Sequence, residues 1–334
     1  MKKKTKVCLV ATMMFGICLL MLNSTDLVRA KDSDYPKKSI KYIIPFGAGG
    51  TTDVTSRALI KATNKYLVEP IIAINKPGGG GVTPALAVMN AKPDGYTIGA
   101  FSSTHSLMLP NTDECPYKDL SGFSIIVRYG KYLWPVVVRS DSPWKTWEEL
   151  VAWAKKNPKG AIKLGCTSNR ARSPVGHSIF TVERHEDFEF TFVAFKSTGK
   201  VLSALLGNHI DVYAVSTTPS LMEYVKEGTL RILAYIDVRN PEHKHIPSFR
   251  EVYEFKPTNF VGIWGPKDLP NHVLEKLGCA FAKGMHDPEF QKTMDRLYMP
   301  VSYLGRSEFR EDLNEFFPFV SKTMKLLKAK AKIK

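Results

Sequence analysis

The sequence predicts an α/β fold in two domains. Apolar runs of strand length alternate with helical patterns from about residue 40 onward. The chain has 334 residues, which is enough for two domains at the usual ~100–200 residues each. Most of the predicted strands are followed by glycine or hydroxyl residues, and in alternating chains ligands bind in the loops after strand C-termini.

The N-terminal residues 1–30 are predicted to be a secretory signal peptide. Lysines precede the apolar stretch 7–22, and Val28-Arg29-Ala30 forms a small-residue exit. A membrane anchor is the alternative, although the apolar run is shorter than the ~20 residues of a spanning helix. Cys18 follows Ile17, which disfavours lipid attachment. We expect a periplasmic mature chain, with membrane association left open.

The net charge of the chain indicates which kinds of partner the protein could bind. The formal net charge is +15, and the chain stays basic without its first 30 residues. It has no zinc-finger, RNP or helix-turn-helix pattern, so no nucleic-acid partner is expected. A basic exported protein suits anionic solutes or an anionic membrane face. Neither a metal nor a cofactor is expected. The cysteines after the signal allow at most one disulfide and leave an odd thiol: Cys115, Cys166 and Cys279.

The first strand-loop-helix unit spans Tyr42 to Arg57. Gly47, Gly49 and Gly50 allow backbone N–H groups to turn toward one point, and the following helix adds the positive end of its dipole. Such loops bind anions. A well-capped helix start is the simpler interpretation, because Thr and Asp residues follow directly.

Two further loops complete this half. The strand 70–75 precedes Gly78–Gly81, where four glycines indicate a flexible turn or a close backbone approach. A helix over 82–90 follows, and the strand 96–101 ends in Ser102–Ser106. These loops donate hydrogen bonds without fixed charge, which suits a carboxylate. Helix capping explains the serines equally well, and His105 is interpreted as a surface or capping residue.

The remaining elements follow the same alternation. The lysine-rich segment Lys322–Lys334 is expected to be a solvated helical tail, with contact to acidic lipid as the alternative. Strands are predicted over 132–139, 190–195, 209–215, 230–236 and 260–264, and residues 163–169 are predicted to be a strand that runs into a polar loop. Helices are predicted from 147, around 179–180, and over 201–206, 221–226, 273–285, 290–299 and from 307 onward.

The order of several motifs resembles the Bug/TctC family, the extracytoplasmic solute receptors of tripartite tricarboxylate transporters. The motifs are Tyr35-Pro36, Pro45-Phe46 through Asp53 and Arg57, Asn75 through Gly81, Pro93 through Thr97, Lys196 with 202–207, Gly228 through Arg231, and Gly262 through Pro266.

This resemblance implies a two-domain periplasmic binding protein of type II-like architecture, with mixed sheets flanked by helices. Domain 1 would comprise 31–139 and 260–334, and domain 2 would comprise 140–259. The chain would cross near Arg139 and near Asn259. The ligand would lie in the cleft between the domains, which would close over it.

The resemblance also implies a monomer that binds a small organic acid and has the large and small membrane subunits of such a transporter as partners. Delivery to a signalling kinase is left open. The expected ligand-binding residues are Phe46, Ala48, Gly49, Gly50, Thr52, Asp53, Ser102, Ser103, Thr104, Thr167, Ser168, Asn169, Arg170, His177, Lys196, Ser197, Thr198, Ser216 and Thr217.

The second domain departs from the family pattern. The loop from Cys166 to His177 is longer than usual and carries two arginines, Ser197 replaces a glycine, and an aspartate expected near Val215 is missing. We hypothesise that Arg170 or Arg172 pairs with a second acidic group of the ligand, because guanidinium binds carboxylates bidentately. An exposed basic loop is the alternative.

No enzyme motif is complete, so no enzyme is expected. The segment Gly47–Thr52 nearly matches the dinucleotide fingerprint, but Thr52 occupies the position of its third glycine. Ser142 and Lys145 have the Ser-x-x-Lys spacing without its companion motifs. A hydrolase would need an unrecognised arrangement, of which a Cys166–His177 nucleophilic pair is the best alternative.

Overall fold

The structure is a computed structural model that describes residues 35–113, 115–167, 170–257 and 259–333. The predicted signal peptide, Ser168 and Asn169 therefore lie outside the described residues. Within these ranges, no helix is both long enough and apolar enough to span a bilayer.

The first sheet has six strands in the order β11-β4-β10-β3-β1-β2. β1 runs parallel to β2 and β3, while β10 lies antiparallel to β3 and β4. Its strands are β1 (Ile40–Ile44), β2 (Ile71–Asn75), β3 (Thr97–Ser102), β4 (Phe123–Gly130), β10 (Val261–Pro266) and β11 (Val301–Leu304).

Helices cover this sheet. Helix α1 packs on α8 and α9 and buries its apolar face around Leu59. The last helix, α10, buries Phe309, Phe316 and Val320, while its lysine-rich end continues the same helix. The helices of this half are α1 (Thr51–Thr63), α2 (Val82–Met89), α8 (Asn271–Met285), α9 (Pro288–Arg296) and α10 (Arg306–Ile333).

The second sheet has five strands in the order β7-β6-β8-β5-β9. β6 runs parallel to β7 and β8, and β5 is antiparallel to β8 and β9. Its strands are β5 (Pro135–Arg139), β6 (Ile162–Cys166), β7 (Phe190–Ala194), β8 (Val212–Ala214) and β9 (Leu230–Tyr235). Its helices are α3 (Trp147–Lys156), α4 (Pro174–Glu186), α5 (Thr198–Leu206), α6 (Pro219–Lys226) and α7 (Phe249–Val252).

The predicted α/β fold, with two mixed sheets flanked by helices, is confirmed. The first passage between the sheets differs in place from the expectation. β5 pairs within the second sheet, so the chain leaves the first sheet over residues 131–134, before Arg139. The return runs over residues 236–260, which includes the expected position near Asn259. The predicted domain limits themselves stay a prediction.

The sequence analysis did not identify two strands, β4 and β11. All eight residues of β4 are buried, although Ser124 and Arg128 interrupt its apolar run. Arg128 is held there by Asp312 of α10 at 2.5 Å and by the Ser302 carbonyl of β11 at 3.1 Å. The strand could not be recognised from the sequence, because the residues that pair with its polar side chains lie far away along the chain.

Candidate ligand-binding site

A cavity of about 830 Å³ lies between the two sheets, within the size range of small-molecule pockets. Residues after the C-terminal ends of β1, β2 and β3 line it from one side. Residues after β6, β7 and β8 line it from the other. Both domains thus contribute the edge at which α/β sheets bind ligands.

Asp53, which does not line the cavity, stabilises the loop between β1 and α1. Its carboxylate accepts hydrogen bonds from the Gly49 N–H (2.9 Å), the Arg57 Nε (2.9 Å) and the Asn75 Nδ2 (2.8 Å). Burial raises the pKa of Asp53, but these hydrogen bonds outweigh it and hold the pKa of the carboxyl below its ordinary value. Asp53 is therefore an ionised anchor for the loop.

Helix α1 begins at the cavity. Its first residues, Thr51 and Thr52, line the cavity, and Gly50 at the N-cap has no side chain with which to cap it. Its first-turn N–H groups and its dipole therefore favour an anion there. Thr52 is oriented by a 2.8 Å hydrogen bond between its hydroxyl and that of Tyr132.

The glycine loop before α2 also lines the cavity, through Gly78, Gly80 and Gly81. Gly81 has φ +104°, and a Cβ there would lie 2.8 Å from the Nε2 of His105. The backbone must pass this close because the buried His105 ring stacks on Phe101 beneath it. This explains a glycine that sequence reasoning could only describe as flexible or closely packed.

The serines after β3 complete the first-domain side. Ser102, Ser103 and Thr104 line the cavity. The Ser102 hydroxyl lies 3.1 Å from the Nδ1 of His105, so this histidine orients it. The Ser103 hydroxyl is buried, with no hydrogen-bond partner among the described residues.

The second domain presents two helix N-termini to the cavity. Helix α4 is capped by Ser173 and α5 by Ser197, each of whose hydroxyls accepts from an N–H of its own first turn. Lys196 precedes the second cap and lines the cavity. Among the described residues, no carboxylate hydrogen-bonds or ion-pairs with the Lys196 ammonium.

Arg172 is the second cation of the cavity. Its Nη1 lies 3.0 Å from the position that a Cβ would take at Gly80. A second-domain side chain therefore reaches the glycine loop of the first domain. Arg170 lies in the same short helical turn, but its side chain lies outside the described part of the structure.

The connecting segment 131–134 forms the wall between the two sides. Tyr132 and Trp134 line the cavity with nearly parallel rings, 6.1 Å apart at an angle of 6°. Asn259 of the return segment binds the Tyr132 backbone twice: its Oδ1 accepts from the N–H at 2.9 Å, and its Nδ2 donates to the carbonyl at 2.6 Å.

The structure brings most of the predicted site residues together, and whether they contact a ligand stays a prediction. Gly49, Asp53, His177 and Thr217 do not line the cavity. Thr217 instead donates from its N–H and its hydroxyl to the Leu133 carbonyl, at 2.8 and 3.0 Å. The predicted residues that line the cavity are Phe46, Ala48, Gly50, Thr52, Ser102, Ser103, Thr104, Thr167, Lys196, Ser197, Thr198 and Ser216.

Sequence reasoning missed the aromatic wall of Tyr132 and Trp134 and left the glycine loop out of the site. The glycines had a signal in their four-residue run. The aromatic pair had only alternate spacing within an apolar run, which does not tell which face meets a ligand.

The proposed nucleophilic pair is not formed in this geometry. The Cys166 Sγ lies 3.4 Å from the Ser173 hydroxyl, and the Nε2 of His177 lies 2.9 Å from the Ala171 carbonyl. Burial lowers the pKa of His177 to about 4, only partly offset by that hydrogen bond. The described residues also contain no cluster of three or more metal-ligating side chains.

A smaller cavity of about 410 Å³ lies behind the connecting segment. Leu133 lines it, whereas Tyr132 and Trp134 line the main cavity, as the alternation of an extended segment requires. Tyr298, which lies between α9 and β11, and Asn240 of the return segment also line it. The connecting segment thus separates two interdomain spaces.

Comparisons with known proteins agree over most of the chain. The family model described as the tripartite tricarboxylate transporter family receptor, TctC, matches residues 55–315. The UPF0065 protein in the gbd 5' region of Cupriavidus necator is 29% identical over 303 residues, covering 90% of this chain and 89% of that protein.

Solved structures share the fold. A TctC solute-binding protein from Polaromonas, without ligand, has a TM-score of 0.73 and 27% identity, covering 87% of this chain and 99% of that one. MatC from Rhodopseudomonas palustris with bound malate has a TM-score of 0.71 at 20% identity, covering 87% and 100%. The first likeness confirms the predicted periplasmic binding protein fold, and the second shows the fold alone.

Proposed function

Because the chain belongs to the TctC family of tripartite tricarboxylate transporter receptors, we propose that it is a periplasmic receptor that binds a small carboxylate-bearing solute reversibly. Its solute would pass to the large and small membrane subunits of such a transporter. The receptor would act as a monomer, with domains near the limits expected from the sequence, and it would perform no chemistry on its solute.

The charge and donor arrangement of the cavity carries this proposal. Three helices of the described chain, α1, α4 and α5, begin with residues that line the cavity, and the N-cap residue of α2, Gly81, also lines it. Their dipoles favour an anion there. Lys196 and Arg172 add positive charge, and none of the described lining residues is Asp or Glu.

We place one carboxylate of the solute at the first-domain side. The α1 N-terminus and the hydroxyls of Thr52 and Ser103 would donate to it. A ligand oxygen would satisfy the buried Ser103 hydroxyl, which has no partner among the described residues and whose desolvation otherwise costs about 1–3 kcal/mol. Closure of the two domains would then exclude water from the contact.

Thermal unfolding of the mature protein against a panel of acids tests the proposal. A ligand that binds only the folded state raises the unfolding midpoint, so at least one acid among malate, citrate, adipate and benzoate should raise it while its amide does not. Thr52→Val and Ser103→Ala should reduce the shift, whereas the exposed Ser203→Ala should leave it unchanged. A shift with a nicotinamide dinucleotide or an ester, and with no acid, contradicts the receptor.

A further inference from the structure

We infer that Tyr298, which lies outside the ligand cavity, sets the affinity of the receptor by stabilising its open arrangement through contacts with the opposite half of the molecule, behind the connecting segment 131–134. This inference rests on the proposed function, because it concerns the domain closure that the proposal requires. It goes further by giving a residue that does not meet the solute a role in binding.

The backbone of Tyr298 has a conformation that favours glycine. Helix α9 ends in a motif in which the Tyr298 N–H donates to the Asp295 carbonyl and the Met299 N–H donates to the Met294 carbonyl, both at 2.9 Å. Such motifs place a left-handed residue, usually glycine, at this position, and Tyr298 has φ +53°. A tyrosine that is kept in a strained conformation indicates a role for its side chain.

The side chain of Tyr298 contacts the opposite half of the molecule. Tyr298 lies between α9 and β11, in the half that contains the first sheet. Its ring packs against the apolar cluster of the second sheet, which includes Val137 and Leu221. Its hydroxyl lies beside the ammonium of Lys226, the last residue of α6, and this neighbour, ahead of Glu223, raises the pKa of Lys226. Tyr298 therefore joins the two halves.

This contact lies behind the segment about which the halves would rotate. Tyr298 and Lys226 line the small cavity together with Leu133, whereas Tyr132 and Trp134 line the ligand cavity on the opposite face of the same segment. A rotation about the segment that closes the ligand cavity widens the space behind it. The contact between Tyr298 and Lys226 is therefore weaker in the closed arrangement, and it favours the open one.

An interaction that stabilises the open arrangement lowers the apparent affinity for the solute. The closed arrangement surrounds the solute and binds it more tightly, so the measured affinity scales with the population of that arrangement. A contact of the strength of one hydrogen bond changes this population by about three- to tenfold. Removal of the contact should therefore tighten binding, an effect that the loss of a merely structural contact does not produce.

Calorimetric titration of the mature protein tests the inference, with whichever of adipate, terephthalate and malate binds most tightly. Tyr298→Asn removes the ring and the hydroxyl, and asparagine tolerates the left-handed backbone. This variant should bind the acid about three- to tenfold more tightly. Tyr298→Phe and Lys226→Met should tighten binding by smaller factors. The double variant Tyr298→Phe/Lys226→Met should gain less than the product of the two single gains, because both changes remove the same contact.

Tyr66 and Lys283 provide the matched control. The Lys283 ammonium lies 5.7 Å from the centre of the Tyr66 ring, but both residues belong to the half that contains the first sheet. Tyr66→Asn and Lys283→Met should therefore leave the affinity unchanged. Lys226→Met alters a side chain that is 59% exposed, so it decides the question if Tyr298→Asn does not fold.

A measurement without ligand keeps this inference separate from the proposed function. Pulsed EPR distances between spin labels on the exposed Cys279 of α8 and on a cysteine introduced by Ser203→Cys in α5 should show a larger closed fraction after Tyr298→Asn. If none of the acids binds, the proposed function fails and these distances alone decide. Unchanged or weaker binding in either Tyr298→Asn or Lys226→Met, or an unchanged distance distribution, overturns the role of Tyr298.

Discussion

The two charged residues Asp53 and Lys196 have different roles in the site: Asp53 stabilises a loop, and Lys196 lines the cavity in which the solute would bind. Asp53 lies beneath its loop with its carboxylate used by Gly49, Arg57 and Asn75. Lys196 lines the cavity and is neutralised by no described carboxylate. From the sequence, both residues were predicted to contact the ligand. Residue type and position in a loop do not reveal whether a side chain faces the cavity or points away from it.

Two buried histidines make stability depend on pH. Burial lowers the pKa of His105 and of His177 from 6.5 to about 4. The unfolded chain takes up these protons near pH 6.5 and the folded chain does not, so their contribution is complete above pH 6.5 and is lost as the pH falls toward 4.

We therefore expect unfolding free energy to fall by roughly 1–2 kcal/mol per histidine between pH 7 and pH 5. Urea unfolding of His105→Gln and His177→Gln at both pH values should show a smaller difference than the wild type. His185→Gln, whose ring is mostly exposed, is the control. An undiminished pH dependence in both buried-site variants would contradict the assignment.

The loops between strands and helices are the elements that build the site, and most of them were predictable. Gly47–Gly50, Ser102–Thr104 and Lys196–Thr198 each have turn or cap residues directly after an apolar run. Their convergence was not predictable from local pattern alone, because it depends on which strands pair. β4 shows the same limit, since the buried Arg128 is paired by Asp312 of α10 and by Ser302 of β11, both far away in the sequence.

The glycine loop before α2 is expected not to tolerate a side chain at Gly81. In Gly81→Ala the new methyl group would meet the His105 ring at 2.8–2.9 Å, and φ at this position is +104°. The variant should lose about 1–3 kcal/mol of stability and bind the solute more weakly.

Gly278→Ala is the matched control. This glycine lies inside α8, and a Cβ would meet no atom within 4 Å, so the variant should gain about 0.5–1 kcal/mol. Urea unfolding measures both changes. A Gly81→Ala protein as stable as the wild type would show that the loop and His105 are not packed as described.

Two connecting segments join the two sheets of the molecule, and side-chain contacts link these segments to each other. The Lys131 ammonium of the first and the Asp237 carboxylate of the second form an ion pair at 2.9 Å, with side chains 11% and 1% exposed. The amide of Asn259 joins the same two segments through Tyr132. These contacts hold the segments together between the two halves of the cavity.

The sequence did not locate the first segment. Residues 132–139 form one apolar run, and the structure divides it into a connecting segment and β5. Nothing local distinguishes the two parts, since sheet membership is decided by pairing with β8 and β9.

Breaking the buried pair should be costly. Asp237→Leu leaves the buried Lys131 ammonium without its partner and should cost about 3 kcal/mol. Lys131→Met should cost less, because the Asp237 carboxylate keeps the Arg250 guanidinium at 3.4 Å. The double variant Lys131→Met/Asp237→Leu should cost less than the sum of the single changes. In the exposed Lys159–Asp187 pair, Lys159→Met should leave the stability nearly unchanged, because solvent screens the two charges. Urea unfolding of all these variants measures the changes in stability. If the losses from the single changes at Lys131 and Asp237 simply add in the double variant, the two side chains are not coupled as described.

The proposed function requires that this cavity bind a carboxylate. Its most direct test is calorimetric titration of the mature protein with adipate, terephthalate and malate, and with the corresponding amides. We predict saturable one-to-one binding of at least one acid and no binding of its amide at the same concentrations. Equal binding of an acid and its amide, or binding that persists unchanged in a Thr52→Val/Lys196→Met protein, would contradict it.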